Sequence, residues 1–78
     1  MITGAQIREA RRLLNLEPNA LAKRAELPLS VISRAESVED EPMITMAHAQ
    51  SIQRALEAAG VEFTNGDQPG VRLKRKAP

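Results

Sequence analysis

Ile7, Ala10, Leu13 and Leu14 recur at the spacing of one helical face, with Arg8, Arg11 and Arg12 set among them. Thr3 and Gln6 precede that run at the Thr-x-x-Gln spacing of a capping box, so a first helix is expected to open there. Pro18, with fixed φ and no N–H, suits a first helical position. The apolar positions Leu21, Ala22 and Ala25 then predict a short second helix over 18–25, ending near Glu26. After Leu27-Pro28 a third helix is expected over 29–36. Val31, Ile32 and Ala35 would face inward, and Leu29, Ser30, Ser33 and Arg34 outward. Residues 37–42 read as an acidic loop closed by Pro42. A fourth helix fits from about Thr45 to Ala59, with Ala49, Ile52, Leu56 and Ala59 on one face and Gly60 as its stop. Met43, Ile44 and Met46 are expected to pack near its start, with a partner-binding patch as the alternative, and His48 to lie on its surface.

Past Gly60 the period changes from helical to two. Val61 and Phe63 flank Glu62, and Val71 and Leu73 flank Arg72, with a turn-rich stretch over 64–70 between them. A short β-hairpin is expected. Two-stranded hairpins are marginal alone in water, so Val61, Phe63, Val71 and Leu73 need a covering surface. The same strands of a second subunit are the favoured cover; packing on the fourth helix of the same chain is the alternative. The chain therefore divides into residues 1–60, a helical domain, residues 61–73, a hairpin expected to dimerise, and residues 74–78, a basic tail.

Composition narrows the function. A chain of 78 residues supports one modest core. Neither a leader-like segment nor an apolar run near the roughly 20 residues of a membrane span is present, so a soluble cytoplasmic protein is expected. No cysteine is available for thiol chemistry, disulfides or zinc, and His48 is the single histidine, so no metal site and no cofactor are expected. With no nucleophile and base in a suitable arrangement, no catalytic residue and no small-molecule substrate can be named. One aromatic residue, Phe63, leaves nothing on which single-stranded bases could stack. Net charge is only +1, but it is unevenly spread. Residues 1–35 hold six Lys or Arg against three acids, residues 36–68 one against seven, and residues 69–78 four against none.

Two short helices joined by a tight turn, the second with a small polar outer face, form a helix-turn-helix arrangement. The stretch Ala20-Leu21-Ala22-Lys23-Arg24-Ala25, followed by Ser30-Val31-Ile32-Ser33-Arg34-Ala35-Glu36, resembles the second and third helices of the lambda repressor and Cro-like (Xre-type) family. The resemblance spans roughly residues 4–60. The run from Ala55 to Phe63, with Gly70-Val71-Arg72-Leu73 after it, is similar to short bacterial regulators of this type. It implies a mainly α fold: a four-helix lambda repressor-like helix-turn-helix domain with a short C-terminal β-hairpin. It also implies an ion pair between Arg11 and Glu36, tying helix one to helix three.

The function implied is sequence-specific binding of double-stranded DNA by a homodimeric transcriptional regulator. Leu29, Ser30, Ser33 and Arg34 would meet bases, and Lys23, Arg24 and Arg11 would serve the phosphates. Leu29 would either meet a thymine methyl or be buried. This chain departs from the family where Pro18 replaces the usual glutamine, Glu26 the usual turn glycine, and Pro28 and Leu29 the usual cap and polar reader. Glu39, Asp40 and Glu41 would also repel a nearby sugar-phosphate backbone. Those departures motivate the alternative, an antitoxin-like module that binds a protein partner.

Overall fold

A computed structural model describes residues 2–65 and 69–74. Four helices come first: α1 (Gly4–Leu14), α2 (Pro18–Ala25), α3 (Leu29–Glu36) and α4 (Met46–Ala59). A two-stranded antiparallel sheet of β1 (Val61–Asn65) and β2 (Pro69–Leu73) follows. The expected mainly α fold with a C-terminal hairpin is the one observed. The strands are longer than the alternating residues indicated. Phe63 pairs with Val71 and Val61 with Leu73. Of the expected basic tail, only Lys74 is described.

α1 satisfies all four of its leading N–H groups, which no helix can bond internally. Gln6 N–H donates to Thr3 Oγ1 at 3.1 Å. Gln6 Oε1 in turn accepts from Thr3 N–H at 2.8 Å, which completes the capping box. The other two donors, Gly4 N–H and Ala5 N–H, reach the carbonyls of Asp40 at 2.9 Å and Glu39 at 3.2 Å. The acidic loop is thus tied by its backbone to the start of α1. The approach is so close that a Cβ on Gly4 would lie 1.9 Å from the Val38 carbonyl oxygen.

α1 and α2 stop by one device used twice. Asn15 (φ 54°) and Glu26 (φ 58°) both adopt the left-handed conformation. The following leucine then donates back across the last turn, Leu16 N–H to the Arg11 carbonyl and Leu27 N–H to the Ala22 carbonyl, each at 2.9 Å. Leu16 and Leu27 pack against the core, so each turn also buries apolar surface. Asparagine tolerates this conformation; glutamate pays about 1 kcal/mol for it.

Each helix and β1 send one or two large side chains into a single core: Ile7, Leu21, Ile32, Ile52, Leu56 and Val61 are fully buried. Each such burial contributes on the order of 1.5–3 kcal/mol before entropy is charged against it. Ala10, Ala22, Ala25, Ala35, Ala49 and Ala55 fill the rest, letting helix backbones come close. Ala55, outside the expected inner face of α4, is buried, while Ala59 is only half-buried.

The hairpin lies against α1 as well as α4 of its own chain. Gln6, 2% exposed, donates its Nε2 to the Gly70 carbonyl at 2.8 Å, so one side chain both caps α1 and clamps β2. Phe63 and Val71 pack on the core and Val61 is inside it. Of the four side chains expected at a dimer interface, three are occupied within the chain; Leu73 remains 54% exposed. A single-chain core was the alternative cover, and α1 supplies the part of it that the alternation of residues could not reveal.

Met43 and Met46 correct another expectation. Both were expected to pack, yet they stand 84% and 65% exposed, whereas Ile44 packs on the core. Periodicity says which residues share a helix face but not whether anything covers that face.

Candidate nucleic-acid interface

α2 and α3 are held at a defined angle by Leu21, Ala22 and Ala25 on one side and Ile32 and Ala35 on the other, all buried. What α3 leaves outside is Leu29, Ser30, Ser33 and Arg34, the four residues expected to face outward. No carboxylate interrupts that face. Two serine hydroxyls and one guanidinium are groups able to bond base edges, the guanidinium in forked fashion. Leu29 is 43% exposed, so it is not the buried residue that was its alternative.

The far end of α3 is fixed from α1. Arg11 donates through Nε to Glu36 Oε2 at 2.6 Å and through Nη2 to Glu36 Oε1 at 2.8 Å, with a third bond from Nη1 to the Leu16 carbonyl at 3.0 Å. The pair the resemblance implied is therefore present, and it joins α1, α3 and the first turn. The bond to Glu36 holds the Arg11 guanidinium charged more firmly than usual, with burial opposing the shift and the Glu36 and Glu17 charges adding to it. Arg11, also expected among the phosphate-contacting cations, has its guanidinium committed here. It positions α3.

The remaining arginines of α1 are also engaged. Arg8 pairs with Glu39 and bonds the Glu36 carbonyl; Arg12 pairs with Glu9. Hydrogen bonding to Arg12 holds the Glu9 carboxyl below its ordinary range, and the same bond raises Arg12. Among the described residues, the cations with no carboxylate within 4.0 Å are Lys23, Arg24, Arg34, Arg54 and Lys74. Three of these five belong to α2 and α3. The +3 balance of residues 1–35 is thus sorted by the fold: α1 spends its positive charge on internal pairs, and the helix pair keeps its own free.

The departures from the family pattern have local consequences. Glu26 takes the left-handed turn position that glycine usually fills, and Pro28 stands before α3 with no side chain capping that helix. Glu17 likewise leaves α2 without a side-chain cap, with Pro18 at its first turn. α1 and α4, by contrast, are capped by Thr3 and Thr45. Val31, Arg34, Met43, Ile44, Thr45 and His48 line a surface groove beside the end of α3, a feature no sequence pattern indicated. No group of three or more His, Cys, Asp or Glu suited to a metal ion occurs among the described residues. No helix there is long and apolar enough to cross a membrane.

No protein-family model matches the chain, and no curated protein matches it. The functional reading rests on the residues themselves.

Proposed function

We propose that this chain is a sequence-specific double-stranded DNA-binding regulator of the lambda repressor and Cro-like kind, cytoplasmic and without enzymatic activity, acting as a homodimeric repressor. The observation that carries the reading is the outer face of α3. It offers Leu29, Ser30, Ser33 and Arg34 with no acid among them, and the pair Arg11–Glu36 holds it. Lys23, Arg24 and Arg34, free of carboxylate partners, supply the charge that a polyanion requires. In this reading α3 enters the major groove, Ser30, Ser33 and Arg34 meet base edges, and Lys23 and Arg24 meet phosphates. Two subunits would address half-sites about one helical turn apart. Leu73, exposed on β2, is the apolar side chain left for the second subunit to cover.

Titration of the purified protein against duplexes from its own upstream region at low salt tests this. Two phosphate-neutralising cations per subunit, Lys23 and Arg24, give a log–log salt slope of about −1.8 per subunit engaged. Arg34→Ala should erase the preference between duplexes. No binding at low salt, or an Arg34→Ala variant with unchanged affinity and preference, refutes the proposal.

The second reading is a module that binds a protein partner, as an antitoxin does. The exposed Met43 and Met46 beside the groove favour it, since flexible thioether side chains suit adaptable interfaces. Under this reading DNA affinity would lack steep salt dependence, and Met43→Ser with Met46→Ser would abolish capture of one defined protein while leaving the fold intact.

A further inference from the structure

Leu29 opens α3 with 43% of its surface in solvent, on a face otherwise made of Ser30, Ser33 and Arg34. More than half of this leucine is covered within its own chain; the exposed remainder adds nothing to folding and is left for a partner to cover. Its setting limits what could cover it. Lys23, Arg24 and Arg34 on the same two helices have no carboxylate partner among the described residues, which favours a polyanion over an apolar protein surface. Within the major groove, base-pair edges present one apolar group, the C5-methyl of thymine.

We infer that Leu29 reads a C5-methyl group in the major groove and sets this protein's sequence preference at that step; the inference rests on the DNA-binding reading above. Leu29 and Arg34 are five residues apart, a rise of about 7.5 Å along α3. They also project about 140° apart around the helix, so the two side chains address different base pairs. A guanine, with O6 and N7 both accepting, is the base that suits the Arg34 fork. Cytosine methylated at C5 carries its methyl on the same ring atom as thymine. Leu29 accepts it in thymine's place, so cytosine methylation at that step strengthens binding. The reading helix thereby responds to DNA methylation through one leucine.

The test begins with selection of bound sequences from a random duplex library at low salt. Each thymine of the selected site is then replaced singly by uracil, which removes the methyl and leaves every hydrogen-bonding group in place. One thymine per half-site should lose about fourfold in affinity, the worth of one methyl-sized apolar group returned to water. Cytosine at that position should bind more weakly than 5-methylcytosine by a similar factor. Leu29→Ser should bind the thymine and uracil duplexes equally; the wild-type comparison stands whether or not that variant folds. Specific binding in which every thymine-to-uracil change stays within twofold, or discrimination that survives Leu29→Ser, overturns the inference and leaves the DNA-binding reading intact. Failure to select or bind any duplex overturns both.

Discussion

At Gly4 the backbone that follows α3 passes too close for a side chain, and replacing the glycine with alanine gives a sharp stability prediction. The added Cβ would stand 1.9 Å from the Val38 carbonyl oxygen and 2.6 Å from that of Ala35, both backbone atoms that no side-chain rotation can move. Relief requires residues 35–40 to withdraw from the start of α1. Withdrawal breaks the bonds from Gly4 N–H to Asp40 and from Ala5 N–H to Glu39. Two backbone bonds are worth about 1–3 kcal/mol together, and residual crowding adds about 1–3 kcal/mol. Alanine's better helix propensity returns at most about 1 kcal/mol. The net loss centres on about 3 kcal/mol, a drop in Tm of roughly 12–24 °C for a domain of this size. Urea and thermal unfolding followed by circular dichroism measure it. A Gly4→Ala protein melting within about 2 °C of wild type would refute the account of the α3–α4 loop and of how α1 begins.

Further predictions concern the other joints of the fold. Glu26→Gly relieves a left-handed glutamate and should raise stability by about 0.5–1 kcal/mol, read from the urea midpoint. Gln6→Glu keeps the acceptor for Thr3 N–H but loses the donor to Gly70 and buries a charge, costing about 2–3 kcal/mol at pH 7. Burial raises that carboxyl's folded pKa, so the penalty applies as pH rises through it and fades as pH falls toward the unfolded value of about 4.3; unfolding of variant and wild type at pH 4 and 7 checks the sign. A double-mutant cycle with Arg11→Ala and Glu36→Ala should give a coupling of about 1–2 kcal/mol, more than an exposed pair and less than a fully buried one, because both side chains are only partly screened. Leu73→Lys should convert a dimer to a monomer in sedimentation analysis while barely changing the Tm of the chain's own core; an unchanged dimer removes Leu73 from the interface.

What could be read from the sequence was local. Helices 18–25 and 29–36 were marked by Pro18, Pro28 and the spacing of Leu21, Ala22, Ile32 and Ala35, and they stand where those signals placed them. Capping by Thr3 with Gln6 was equally legible, since the motif lies within four residues. Contacts between distant segments were not. Nothing near Gly4 announces that residues 38–40 will cross it, and Gln6 gives no sign that its side-chain NH2 will meet Gly70. The clamp explains why the hairpin lies on α1. Charge was legible as a total but not as a pairing, because only the folded chain brings Glu39 to Arg8. At the candidate site, Leu29, Ser30, Ser33 and Arg34 could be named from helical periodicity. Which cations remained free beside them depended on those long-range pairs.

The central claim is that α3 reads DNA through Arg34, and genome-wide occupancy tests it most directly. The tagged protein and its Arg34→Ala variant, expressed at equal levels, would be mapped side by side. The account predicts discrete peaks sharing one sequence for the wild type and their loss for the variant. Wild-type occupancy without discrete peaks, or peaks that Arg34→Ala leaves unchanged, would contradict it.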